Sequence, residues 1–149
     1  MLKTRSTATF ITLFAFIFTY LHATPLHLGG NFLKEFLNAT TSPDAAIGDK
    51  VVAIFKELDG IWELKQTDIN SVELNFVLNK GITENDPNRY FIDNSKDKTS
   101  FATLKIPIDP PKAGPVSGTL QGDVNNIIGI TFTIYMDNNI LDSATFDRE

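Results

Sequence analysis

The chain has 149 residues, with 13 lysines and arginines against 18 aspartates and glutamates, and no cysteine. That length suits one domain with a modest core, and the acidic balance, net −5, argues against nucleic acid or anionic membrane as partners, since both reward a basic patch. Without thiols there are no disulfides, thiolate zinc sites or cysteine nucleophiles, so stability must come from burial and hydrogen bonding.

The first element reads as a secretory signal over residues 1–23. Lys3 and Arg5 precede an apolar run from Phe10 to Leu21, and the small residue Ala23 stands before Thr24-Pro25. A run of about a dozen residues is short of the roughly 20 that a membrane-spanning helix needs. Cleavage after Ala23 predicts a secreted or periplasmic chain of about 126 residues with a net charge of about −7. Asn38-Ala39-Thr40 forms one glycosylation sequon, relevant only in a eukaryotic secretory pathway.

The spacing of Phe32, Leu33, Phe36 and Leu37 predicts a short amphipathic helix from Asn31 to Asn38. A second helix is predicted after it. Ser42 suits the N-cap, Pro43 the first helical position and Asp44 the positive end of the dipole; Ile47, Val51, Ile54, Phe55 and Leu58 form an apolar face that Gly60 closes. Gly48 inside that helix costs about 1 kcal/mol relative to alanine. Residues 24–60 are therefore expected to be a helical segment packed as one unit with an antiparallel β domain over residues 61–149.

Past Gly60 the period of the apolar residues changes to two. Trp62 to Lys65 and Val72 to Phe76 read as paired strands around Thr67 to Asn70, with a turn at Asn79-Lys80-Gly81. Further strands are expected at Tyr90 to Ile92 and at Phe101 to Ile106. The proline-rich stretch Asp109 to Pro115 reads as a loop, because its prolines lack the donors a ladder needs. Strands resume at Thr119 to Gln121 and Ile128 to Met136, and Asp137-Asn138-Asn139 is a hairpin turn before Ser143 to Phe146. About seven short strands predict a mainly β fold with N-terminal helices, an antiparallel meander curled into a barrel or half-barrel. An α+β roll is the alternative layout.

Catalytic chemistry finds little footing. The mature chain keeps one histidine, His27, near its start, a poor base for a Ser-His-Asp arrangement. Asp142, Asp147 and Glu149 crowd the last residues, where charge is usually solvated. Asp93 to Asp97 and Asp123 to Asn126 offer oxygens at alternate positions, yet the sixth and twelfth positions of a calcium loop, glycine and glutamate, are Lys98 and Leu104 in one case and Ile128 and Ile134 in the other. These stretches read as polar turns. The expectation is thus no catalytic residue, no metal and no cofactor, and a non-enzymatic protein.

Aromatic residues are plentiful, twelve of them phenylalanine, and Trp62, Phe76, Phe101, Phe132 and Tyr135 on predicted strands suit either a packed core or the lining of a barrel. From Leu58 onward the chain resembles the avidin and streptavidin family of calycin-type β-barrels. Leu58-Asp59-Gly60-Ile61-Trp62 is similar to that family's opening Leu-x-Gly-x-Trp, Ser71 lies near the serine that bonds the ureido oxygen of biotin, and Gly129 to Tyr135, Asn138-Asn139 and Ser143-Ala144-Thr145 are similar to the fifth and sixth strands. The resemblance implies that Ser143 and Thr145 meet the carboxylate and sulfur of the ligand. Departures accompany it: Leu64 replaces a polar residue, Gly81-Ile82-Thr83-Glu84 lacks the family's tyrosine, Tyr135 or Met136 stands where a tryptophan belongs, and the match ends after the sixth strand.

The expected function is therefore a secreted β-barrel holding a small apolar or amphipathic, possibly biotin-like, ligand at its mouth through Trp62, Ser71, Tyr135, Ser143 and Thr145. The alternative is an exported protein-interaction module, such as a protease inhibitor, using Thr24 to Gly30. Neither reading involves nucleic acid, or a membrane once the signal is removed; a homodimer closing two half-barrels is an expected assembly.

Overall fold

The computed structural model describes residues 32–39 and 44–149. The signal segment, His27, Thr24 to Gly30 and the Ser42-Pro43 cap lie outside the described residues. The body is mainly β and antiparallel, curved but not a closed barrel. Among the described residues ten strands form two sheets: β1 (Lys50–Phe55), β2 (Gly60–Asp68), β3 (Ser71–Leu78), β4 (Tyr90–Asp93), β5 (Lys98–Ser100), β6 (Ile108–Asp109), β7 (Lys112–Leu120), β8 (Thr131–Met136), β9 (Asn139–Thr145) and β10 (Asp147–Arg148). One sheet has the order β10-β1-β2-β3-β7-β6, the other β5-β4-β8-β9.

The predicted hairpins are present. In β2, Trp62, Leu64 and Gln66 are buried while Ile61 and Lys65 face out, and Trp62 lies opposite Phe76 of β3. β8 and β9 meet across the two residues Asp137 and Asn138, with Met136 opposite Asn139, and Asp137 takes the positive φ of 54° that such a tight turn requires.

Three expectations are corrected. The helix predicted from Ser42 to Leu58 is not formed in its described part: residues 50–55 are strand β1, so the six-stranded sheet takes in part of the 24–60 segment. Val51, Ala53 and Phe55 are buried, Val52 is half-buried and Ile54 faces out, a period of two that the β-branched run favours. Gly48 sits at φ +98° and donates its N–H to Gln66 O at 2.8 Å, turning the chain into the sheet.

Residues 101–104, expected as strand, form helix α2 (Phe101–Leu104). Ser100 caps it by accepting the Thr103 N–H at 3.1 Å, and Phe101 and Leu104, three apart, are both buried. The stretch Asp109 to Pro115, expected as loop, is a hairpin: β6 and β7 pair with Asp109 opposite Lys112, and the Pro110-Pro111 turn joins them. The proline rule still operates locally, because Gly114 and Pro115 fall where the β3–β7 register shifts between Phe76 and Leu78.

The sheets join at one corner. The chain passes through buried Phe146, so that β9 pairs with β8 while β10 pairs with β1; Glu57 and Leu58 donate their N–H groups to Asp142 Oδ2 at 2.7 and 3.2 Å nearby. Inside the curve Trp62, fully buried, is surrounded by the rings of Phe76, Phe132 and Phe146 at centroid distances of 5.3, 4.9 and 5.6 Å. Its indole Nε1 has no hydrogen-bond partner, being enclosed by apolar aromatic side chains.

Candidate functional site

One end of the curved sheet is covered by α1 (Lys34–Leu37). A single turn is too short to be stable alone; burial of Phe32, Leu33, Phe36 and Leu37 holds it. Phe32 and Phe36 each meet Phe132 edge-on, at 6.0 and 6.1 Å. Leu37 O accepts from Asp123 N at 2.9 Å and from Asn126 Nδ2 at 3.1 Å. Gly122 permits that approach, since a Cβ there would lie 2.3 Å from Leu37 Cβ.

Beneath this contact a buried glutamine joins three segments. Gln66 Nε2 donates to Asp68 O at 2.7 Å and Gly122 O at 3.1 Å, and its Oε1 accepts the Val124 N–H at 3.0 Å, so the group is satisfied despite full burial. Asp123 opens the 3-10 turn Val124–Ile127 by accepting Asn125 N at 2.8 Å, and its other oxygen accepts Ala45 N at 2.6 Å.

Between α1, the β2–β3 turn and this 3-10 turn lies a cleft of about 410 Å³, lined by Leu37, Asn38, Ile69, Asn70, Asp123 and Asn126 among others. Its volume falls within the range of small-molecule sites. Leu37 and Ile69, the latter 77% exposed, supply apolar wall; the two carboxamides and Asp123 supply polar wall. Asn126 Oδ1 is buried without a hydrogen-bond partner, an acceptor that calls for a donor. A second hollow, of about 520 Å³, lies by Phe32, Lys34, Glu35, Asn94, Lys96 and Asp97, with Lys96 Nζ 5.0 Å from the Phe36 ring centre.

The five residues predicted as a site are not brought together. Trp62 is interior. Ser71 follows Asn70 at the start of β3 and does not line the first cleft; its carbonyl accepts from Thr67 Oγ1 at 3.1 Å. Tyr135, Ser143 and Thr145 share the outer face of the four-stranded sheet, where Ser143 pairs with Thr133 Oγ1 at 2.9 Å and Thr145 with Thr131 Oγ1 at 2.7 Å. Lys98 Nζ sits over both Tyr135 and Phe91, 4.4 and 4.9 Å from the ring centres. In sequence Asp123 to Asn126 reads as a polar turn, and an isoleucine beside Asn70 at a hairpin tip is the one signal that points to this end.

Among the described residues no group of three or more histidines and carboxylates is placed to hold a metal ion, and no helix is long and apolar enough to cross a membrane. The marked electrostatic feature is Arg89, paired with Glu84 and bidentate with Asp137. The hydrogen bonds from Arg89, aided by its charge, hold the Asp137 carboxyl below the usual aspartate range. A depressed folded-state pKa adds stability that is present above the unfolded value of about 4 and lost as pH falls through the folded one. Melting temperature followed below pH about 4 should therefore drop less steeply for Asp137→Asn than for the unsubstituted protein, a modest effect because the pair is solvent-exposed.

The chain matches no protein-family model and no curated protein. Its likeness to the avidins is carried by the short motifs alone.

Proposed function

We propose that the protein is an exported, non-enzymatic binder of a small amphipathic ligand, seated in the cleft between α1 and the β2–β3 turn rather than in the interior. The observation that carries this reading is the 410 Å³ cleft itself, where exposed Ile69 stands beside Asn70 and the Asp123 carboxylate. A ligand with an N–H or O–H donor would pair with Asp123 or the Asn70 carboxamide, while an apolar portion lies against Ile69. Asp123 favours a neutral or cationic polar end. A cyclic urea of the biotin kind has such donors, so biotin belongs among the first compounds tried.

The test is a thermal-shift panel of biotin, small amides, small acids and hydrophobic probes. A binder raises the melting temperature by mass action, and Ile69→Lys, a change at an exposed tip, weakens it at least about tenfold by removing one apolar contact. A panel with no shift, or a binder indifferent to Ile69→Lys, contradicts the reading. The second reading, a protein-interaction module, is favoured by the outer face of the four-stranded sheet, where Ile140 is 64% exposed opposite Tyr135; there Ile140→Lys would abolish partner capture and leave small-ligand binding intact.

A further inference from the structure

Strand β7 is paired on one side along most of its length and nearly bare on the other. β3 accompanies it from Ala113 to Leu120, but β6 has two residues and covers only Lys112 and Ala113. Among the described residues, no backbone hydrogen bond reaches the far side of residues 116–120. Natural sheets guard such an edge with charge, proline, a bulge or extreme shortness. Here Pro115 and its bulge end the edge at one side, and the five residues that follow, Val116-Ser117-Gly118-Thr119-Leu120, carry no charge in a chain where 21% of residues do.

We propose that this edge pairs with itself, the β7 strands of two copies running antiparallel about a two-fold axis at Gly118. The register is fixed by symmetry: Val116 of one copy lies opposite Leu120 of the other, Ser117 opposite Thr119, and Gly118 opposite its own counterpart. Faces match throughout. Val116, Gly118 and Leu120 lie opposite Phe76, Leu74 and Val72 of β3 and so belong to the core side, whereas Ser117 and Thr119 lie opposite Asn75 and Glu73 on the outer side. Hydroxyl thus meets hydroxyl on the outer side, Val116, already buried within its own copy, sets register without adding new contact, and the axis passes through the one residue with no side chain to collide.

A second copy is the occupant because the run is self-complementary and neutral, so two acidic chains approach along it without opposing like charges. Five residues of strand bury less than the roughly 1,200–2,000 Å² of a stable complex, so the dimer is weak and reversible. It is independent of the ligand proposed above.

Sedimentation equilibrium of the mature chain over a range of concentrations tests this. The unsubstituted protein should show monomer and dimer exchanging. Ser117→Lys combined with Thr119→Lys sets lysine against lysine at two symmetric positions and should weaken the dimer at least about tenfold. Ser117→Lys with Thr119→Glu sets opposite charges across the axis and should restore it. Both changes are on the outward face, and an unaltered melting temperature confirms that the fold is kept. Because the chain has no cysteine, a mixture of Ser117→Cys and Thr119→Cys proteins gives a second readout, expected to cross-link to each other faster than either does to itself. A protein monomeric at every concentration, equal weakening by the two double variants, or no preference in cross-linking would overturn the proposal.

Discussion

Trp62→Ala is expected to cost about 3–5 kcal/mol of folding stability, the range for deleting a large buried aromatic side chain. The indole is fully buried and touches three phenylalanine rings contributed by β3, β8 and the Phe146 corner. Removing it leaves a void where the two sheets and the α1 cover converge, since Phe132 also receives Phe32 and Phe36. Such a loss is a large share of the roughly 5–15 kcal/mol that holds a domain together, so the variant should unfold at a much lower urea concentration. Trp62→Phe should lose only about 1–2 kcal/mol, because Nε1 gives up no hydrogen bond. Urea unfolding of the pair measures the contrast; an alanine variant as stable as the phenylalanine one would mean the indole is not part of the core.

The second large effect is expected at Gly122. Its φ of +137° is one that side-chain-bearing residues rarely adopt, and an added Cβ would lie 2.7 and 2.8 Å from the carbonyl O and C of Leu37, as well as against its Cβ. Backbone cannot swing aside as a flexible side chain does. Gly122→Ala should cost about 2–4 kcal/mol, combining backbone strain with overpacking, and should displace α1 from the sheet. Hydrogen exchange localises the damage: the Asp123 N–H, which donates to Leu37 O, should lose its protection, while the β2–β3 ladder keeps most of its own. Uniform loss across the molecule would show that α1 and the sheet unfold together.

How much of this was written legibly in the sequence varies by segment. β2, β3, β8 and β9 were readable because their alternation admits only one period and their turns carry the expected polar residues. β1 was not, because Ile47, Val51, Ile54, Phe55 and Leu58 satisfy helical spacing while Val51, Ala53 and Phe55 satisfy strand spacing; the pairing of Lys50 to Phe55 with β2, a tertiary effect, decides between them. Residues 101–104 turned on Ser100, a cap standing before a run that also alternates. The proline stretch reads as loop yet forms strand, because a register shift absorbs Pro115 without requiring its missing donor.

The site was less legible than the fold. Its walls come from Leu37, Ile69 and Asn126, and the Asn126 contact to Leu37 spans 89 positions, which no local pattern reveals. The resemblance to the avidins directed attention to Trp62 and the later strands, but the geometry separates them: Trp62 lies within the core, and Tyr135, Ser143 and Thr145 face outward.

The curved sheet is filled by its own aromatic side chains, so that any ligand sits at the mouth. The single tryptophan makes one measurement decisive: its fluorescence emission and its quenching by acrylamide. Blue-shifted emission and slow quenching are expected, both unchanged when a mouth ligand is saturating. Red-shifted emission with ready quenching, or quenching abolished by a bound ligand, would show instead an open interior that a ligand can enter.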